Sequence, residues 1–174
     1  MSTENLPTVS CKLRDKRVVI VASTYNEKYT GALLRNCREE LERLAPEVDV
    51  CEIRVPGAFE VPMMVRHVTL CDAAHAVIAL GVILRGSTAH ADLIGTAITN
   101  ELLRASCDSL IPVIHEVLLL NDEQQAEERC CGTRLNRGIE AARAAVTMLE
   151  VTHREFVHDN NANRGIEFVH DNNA

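Results

Sequence analysis

Apolar positions along this chain switch between two periods. Arg17–Ser23 and Ala76–Leu84 are continuous apolar runs, the pattern of strands buried on both faces of a parallel sheet. Val48–Val55 and Pro112–Leu120 read as two further strands. Between them the period becomes helical. Over Thr30–Leu44, the residues Leu33, Leu34, Cys37, Leu41 and Leu44 fall on one side, and Pro46 ends the segment. Phe59–Leu70 reads as a helix because Pro62 falls in its first turn, where no backbone donor is lost. Ala91–Ser106, a short Glu123–Cys130 capped by Asn121 or Asp122, and the alanine-rich Asn136–Val151 complete the helices. Four alternations of strand and helix predict an α/β fold: a three-layer sandwich with a four-stranded, mainly parallel sheet and right-handed crossovers.

The two ends break the pattern. Residues 1–16 read as an N-terminal arm, 17–151 as the α/β domain and 152–174 as a polar tail. Glu155–Ala162 recurs unchanged as Glu167–Ala174, and residues 163–167 repeat 136–140. Polar composition predicts loose packing or disorder there. The repeat reads as a tandem duplication, and no metal site is assigned to His158 or His170.

Composition removes several function classes. A net charge of −7 without a dense basic run argues against nucleic acid or an anionic membrane as partner. No window of 18 apolar residues is present, and the first residues lack the basic and apolar regions of a signal peptide. The seven cysteines are odd in number and form no Cys-x-x-Cys, so neither a zinc site nor a disulfide framework is expected, and a reducing cytoplasm is. The vicinal Cys130-Cys131 reads as two ordinary thiols rather than a redox pair. Lysine occurs only at 12, 16 and 28, which disfavours Schiff-base chemistry.

Candidate chemistry gathers where three predicted strands end. Tyr25-Asn26 follows the first, Pro56-Gly57-Ala58-Phe59-Glu60 the second, and Gly86-Ser87-Thr88-Ala89-His90 the third. Ligands of parallel sheets bind beyond the carboxyl ends of the strands. Two of the few aromatics thus share a polar rim, which suits a flat heterocycle. The Gly86–Ala89 turn into a helix offers N–H groups to an anion, and His90 beside it can move a proton near neutral pH. A small phosphorylated substrate is implied. Read alone, His90 also fits a surface histidine, Phe59 a core contact, and Arg129, between acidic neighbours, a solvated helix residue.

Four blocks, in order and spacing, resemble the lumazine synthase family: Ser23–Asn26, Val55–Pro62, Ala79–Asp92 and Asn136–Ala142. The resemblance covers roughly residues 13–151. It implies a flavodoxin-like topology and condensation of 5-amino-6-(D-ribitylamino)uracil with 3,4-dihydroxy-2-butanone 4-phosphate to 6,7-dimethyl-8-ribityllumazine in riboflavin biosynthesis. It implies no metal and no organic cofactor. The partners would be the two small molecules and further copies of the chain, as a pentamer or a multiple of it, with sites between neighbours. By resemblance His90 is the acid/base. Tyr25, Ala58, Phe59 and Glu60 line the pyrimidine and ribityl pocket, and Val82, Ile83 and Leu84 offer main-chain groups to the uracil. Ser87 and Thr88 hold the phosphate, with Arg129 reaching it and His115 reaching the heterocycle from the adjacent subunit. An archaeal-type riboflavin synthase and a non-catalytic, flavin- or lumazine-binding shell-forming paralogue are the rival readings. A phosphoacceptor signalling domain is disfavoured, since Ser23-Thr24 replaces the acidic cluster it needs.

The chain also departs from the family. Tyr25 stands where phenylalanine is common, and His115 where an aromatic or amide is. Glu116-Val117-Leu118-Leu119 replaces Gly-Val-Leu-Thr. Ala91 and Leu93 replace aromatics, and Arg137 replaces lysine. Pro7 disfavours the arm's adding a strand to a neighbour's sheet. These departures bear on the lip between subunits more than on the central chemistry.

Overall fold

The computed structural model describes residues 13–157; the first twelve residues, including Pro7, and the repeats of 158–174 lie outside the described residues. The elements are β1 (Arg17–Ser23), α1 (Glu27–Leu44), β2 (Asp49–Val55), a 3₁₀ turn (Ala58–Glu60), α2 (Val61–Leu70), β3 (Ala76–Leu84), α3 (His90–Ser109), β4 (Val113–Leu120), α4 (Glu123–Ala126), a π turn (Glu127–Cys131) and α5 (Arg137–Val157). All four strands are parallel, in the order β2-β1-β3-β4. The chain therefore steps outward in one direction from β1 to β2 and in the other from β3 to β4. This places a topological switch point between β1 and β3.

The two apolar runs are the two central strands. Val18, Ile20 and Ala22 face the layer formed by α1 and α5, while Val19 and Val21 face that formed by α2 and α3. Strand periodicity of two thus feeds both cores from one segment. Leu33, Cys37 and Leu41 of α1 are fully buried, and each leucine contributes about 1.5–3 kcal/mol by leaving water.

Several boundaries differ from the sequence pattern. Helix α1 starts at Glu27, three residues before Thr30, because Asn26 turns the chain in the left-handed region (φ 56°, ψ 44°), which asparagine tolerates. The stretch Phe59–Leu70 divides into a 3₁₀ turn and a helix, the turn held by Gly57 N–H donating to Glu60 Oε2 at 2.9 Å. The short helix after β4 widens into a π turn, closed by Gly132 N–H donating to the Glu127 carbonyl. The Cys130 carbonyl accepts from the Asn136 amide six residues on, at 2.9 Å, and from the Asn36 amide of α1, 94 residues away in the chain, at 3.1 Å. No local pattern encodes that. Helix α5 also continues beyond Val151 to Val157.

Helices α1 and α5 approach closely through small residues. Ala141, Ala142 and Ala145 are fully buried, and a Cβ on Gly138 would lie 2.3 Å from the Leu33 carbonyl oxygen. Gly138→Ala is expected to lower stability by about 1–3 kcal/mol in urea unfolding, because backbone must move to admit one methyl.

Strand β4 is an edge, and it carries a half-buried acid. Glu116 has its carboxyl pushed up to about 7 by burial, with Arg137 opposing and Glu140 adding to the rise. The folded protein therefore holds a proton that the unfolded chain releases at lower pH. Between about pH 4.5 and 7 the folded state loses stability as pH rises. Glu116→Gln is expected to remove that slope and to gain about 1–3 kcal/mol above pH 7, read from denaturant midpoints across pH.

Candidate active site

The switch point is held together by short polar contacts. Thr24 N–H donates to the Val55 carbonyl at 2.8 Å and Tyr25 N–H to the Pro56 carbonyl at 2.9 Å, tying the end of β1 to the end of β2. The Asn26 side chain crosses to β3 and donates to the Val82 carbonyl at 2.8 Å. Strand β3 runs four residues past Leu80, its last partner in β1, so the β1-facing main chain of this stretch borders the crevice. Val82, Ile83 and Leu84 lie there, Val82 already engaged through its carbonyl.

Tyr25, Ala58, Phe59 and Glu60 surround the same crevice. A Cβ on Gly57 would sit 3.1 Å from the Tyr25 ring, and one on Gly81 3.5 Å from the Ala58 Cβ. The absence of side chains at these glycines lets the loops close on the strand ends. Tyr25 and Phe59 are 70% and 63% exposed in a chain whose other body aromatic, Tyr29, is buried. A core role for Phe59 is thereby excluded. Glu60 holds the turn through Oε2, leaving Oε1 without a hydrogen bond among the described residues. The Ser23 hydroxyl beside Gly81 is buried and without a partner among the described residues.

From Gly86 to His90 the chain is exposed throughout. Helix α3 begins at His90 behind Ala89, and no side chain caps it. Its first-turn N–H groups stay open, where a serine or aspartate cap would have filled one. Open donors at the positive end of a 20-residue helix have the chemistry to receive an anion, and Ser87 and Thr88 immediately precede them.

Two further residues stand apart. His115 pairs with Ala79 in mid-strand, ~16 Å along β4 from its carboxyl end. Val117 N–H donates to His115 Nδ1 at 3.1 Å, so the ring proton is on Nε2, 2.8 Å from Thr99 Oγ1, which in turn donates to the Gly95 carbonyl at 2.9 Å. Burial lowers the His115 pKa, in keeping with this neutral tautomer. His115 borders a groove of about 330 Å³ between α3 and β4, lined by Asp92, Thr96, Thr99, Val117 and Leu119. Arg129 is on the π turn, which packs on α1, α4 and α5 rather than on α3. Lys28 pairs with Glu127 at 2.8 Å and the Tyr29 hydroxyl donates to Glu123 at 3.4 Å, fixing that turn to α1. Arg129 itself is half-buried and in no ion pair among the described residues. The neighbouring Cys130 thiol is pushed up to about 12 by burial, which makes it a poor nucleophile.

A larger cavity of about 500 Å³ opens at the amino ends of the strands among Arg14, Lys16, Glu47 and Asp72, away from these residues. Among the described residues no three His, Cys, Asp or Glu side chains converge as a metal site, and no helix is long and apolar enough to cross a membrane.

Sequence reasoning assigned no role to Asn26, Arg85 or Thr99. The first two lie inside the matching blocks, but their partners, Val82 and Asn121, are named only by the fold.

Comparison with known proteins gives the family. A family model described as 6,7-dimethyl-8-ribityllumazine synthase matches residues 15–153. A protein of that name from Chlorobium limicola is 36% identical over 148 residues, covering 84% of this chain and 95% of its own. One from Clavibacter michiganensis subsp. michiganensis is 41% identical over 133 residues, covering 75% and 81%. One from the archaeon Thermococcus gammatolerans is 34% identical over 139 residues, covering 79% and 88%. With its all-parallel β2-β1-β3-β4 sheet and its rim residues on the matched blocks, the chain belongs to the 6,7-dimethyl-8-ribityllumazine synthase family, transferases of riboflavin biosynthesis.

Proposed function

We propose that this protein joins 5-amino-6-(D-ribitylamino)uracil to 3,4-dihydroxy-2-butanone 4-phosphate, forming 6,7-dimethyl-8-ribityllumazine with release of phosphate and water. One observation carries the reading. An uncapped helix N-terminus with His90 as its first residue shares a rim with two exposed aromatic rings. The open donors suit a phosphate, the rings suit a pyrimidine, and the imidazole lies between the two chemistries.

Tyr25 and Phe59 stack on the pyrimidine, while Ala58 and the free oxygen of Glu60 face the ribityl chain. Main-chain groups of Val82–Leu84 read the uracil edge. The phosphate rests on Ser87 and Thr88. His90 takes a proton as the uracil amine attacks the ketone and returns it in the later dehydration. His115 and Arg129 act from a neighbouring copy, Arg129 closing on the phosphate with a forked guanidinium. Their placement supports this. Within one chain both are held on elements other than those that build the rim, and Arg129 has no carboxylate partner among the described residues. The assembly is a homo-oligomer built on pentamers.

His90→Ala is expected to lower kcat by about 10²–10⁴-fold, followed as lumazine absorbance with both substrates supplied, while melting temperature stays near that of the parent. Turnover only of added lumazine to riboflavin would instead identify a riboflavin synthase. Parental activity no higher than the enzyme-free background would identify a non-catalytic paralogue. Light scattering on the active peak is expected to give the mass of a pentamer or a multiple. A fully active monomer would contradict the shared site.

A further inference from the structure

The segment proposed to seat the phosphate has few attachments of its own. Gly86, Ser87, Thr88, Ala89 and His90 are all exposed, and a Cβ on Gly86 would meet nothing within 4 Å. One side chain links this segment's two ends. Arg85 Nη1 donates to Asn121 Oδ1 at 2.7 Å, and Nη2 donates to Asp92 Oδ1 at 2.5 Å. Asn121 follows β4 and Asp92 lies in the first turn of α3, so one guanidinium spans from the sheet to the helix.

Both anchors are themselves fixed. Arg85 N–H donates to the Leu120 carbonyl at 2.9 Å, continuing the β3–β4 ladder by one bond. Asn121 N–H donates to the Gln125 side chain at 3.0 Å, which locks it to α4. The planar fork of arginine serves two acceptors in a set geometry, which lysine cannot do.

We propose that Arg85 is a positioning residue for the phosphate seat. It clamps the start of α3 to the end of β4 and so sets the open N–H groups at phosphate spacing. It acts through the loop and not on the anion, because its charge is already engaged by Asp92. The inference rests on the proposed seating of the phosphate at Ser87 and Thr88.

The test uses the full-length protein and two readouts: calorimetric binding of inorganic phosphate, and steady-state kinetics with both substrates. Arg85→Gln is expected to weaken phosphate and to raise the KM for the ketone phosphate by roughly tenfold to a hundredfold. The KM for the uracil should stay within about twofold, since Tyr25 and Phe59 are untouched. Arg85→Lys should fall between the parent and Arg85→Gln, because an ammonium reaches one acceptor and not both. The deciding variant is Asp92→Ala. If the clamp matters, it weakens phosphate even though it removes a negative charge from the seat, and Asp92→Asn, which keeps an acceptor oxygen, restores binding. If Arg85 touches the phosphate itself, Asp92→Ala frees it and binding tightens, which overturns the proposal. Parental phosphate binding without lumazine formation would defeat the functional reading and leave the clamp standing. Unchanged phosphate binding in Arg85→Gln would defeat the clamp alone.

Discussion

The site depends on one topological constraint: the chain leaves β1 and β3 in opposite directions. Neighbouring parallel strands whose connections diverge cannot have the gap between their ends filled by either crossover. The gap must be closed by something, and here the Asn26 amide closes its base by bonding the Val82 carbonyl. Above that bond, the loops after β1, β2 and β3 meet without a helix between them. Tyr25 and Phe59 stay exposed for this reason, although a chain so poor in aromatics would gain by burying them.

Much of this was legible before the fold was known. The runs Arg17–Ser23 and Ala76–Leu84 named the two central strands to the residue, because both faces of a central parallel strand are apolar and no alternation obscures the ends. The rim residues followed from where the strands stop. What stayed hidden was non-local. The carbonyl of Cys130 in the π turn accepts from Asn36 of α1, 94 residues away in the chain, and a short helix was the best local reading. Asn26 turns the chain so that α1 starts three residues ahead of Thr30, and its left-handed backbone is a local choice that apolar periodicity does not report. His115 looked like a bare substitution. Its tautomer is set by Val117 and Thr99, one on its own strand and one on α3, and that bond network exists only once α3 lies against the β4 edge.

Strand β4 carries two adjacent ionisable side chains, and they are physically coupled. His115 and Glu116 are consecutive and so face opposite layers. Burial lowers the His115 pKa and raises that of Glu116 to about 7, so it favours the uncharged form on both faces. An edge strand that is to meet a neighbouring copy gains from being uncharged, because a buried unpaired charge opposes docking.

The central claim is that His90 of one copy works with Arg129 of the next. Subunit mixing tests it most directly. His90→Ala and Arg129→Ala are each made, shown to be nearly inactive, then unfolded or dissociated together and reassembled. If the two residues belong to different copies, random mixing rebuilds intact sites where an Arg129→Ala copy supplies His90 and a His90→Ala copy supplies Arg129. Activity should then return to about a quarter of the parent's. Mixed oligomers, verified by mass, that stay as inactive as either variant alone would contradict the shared site.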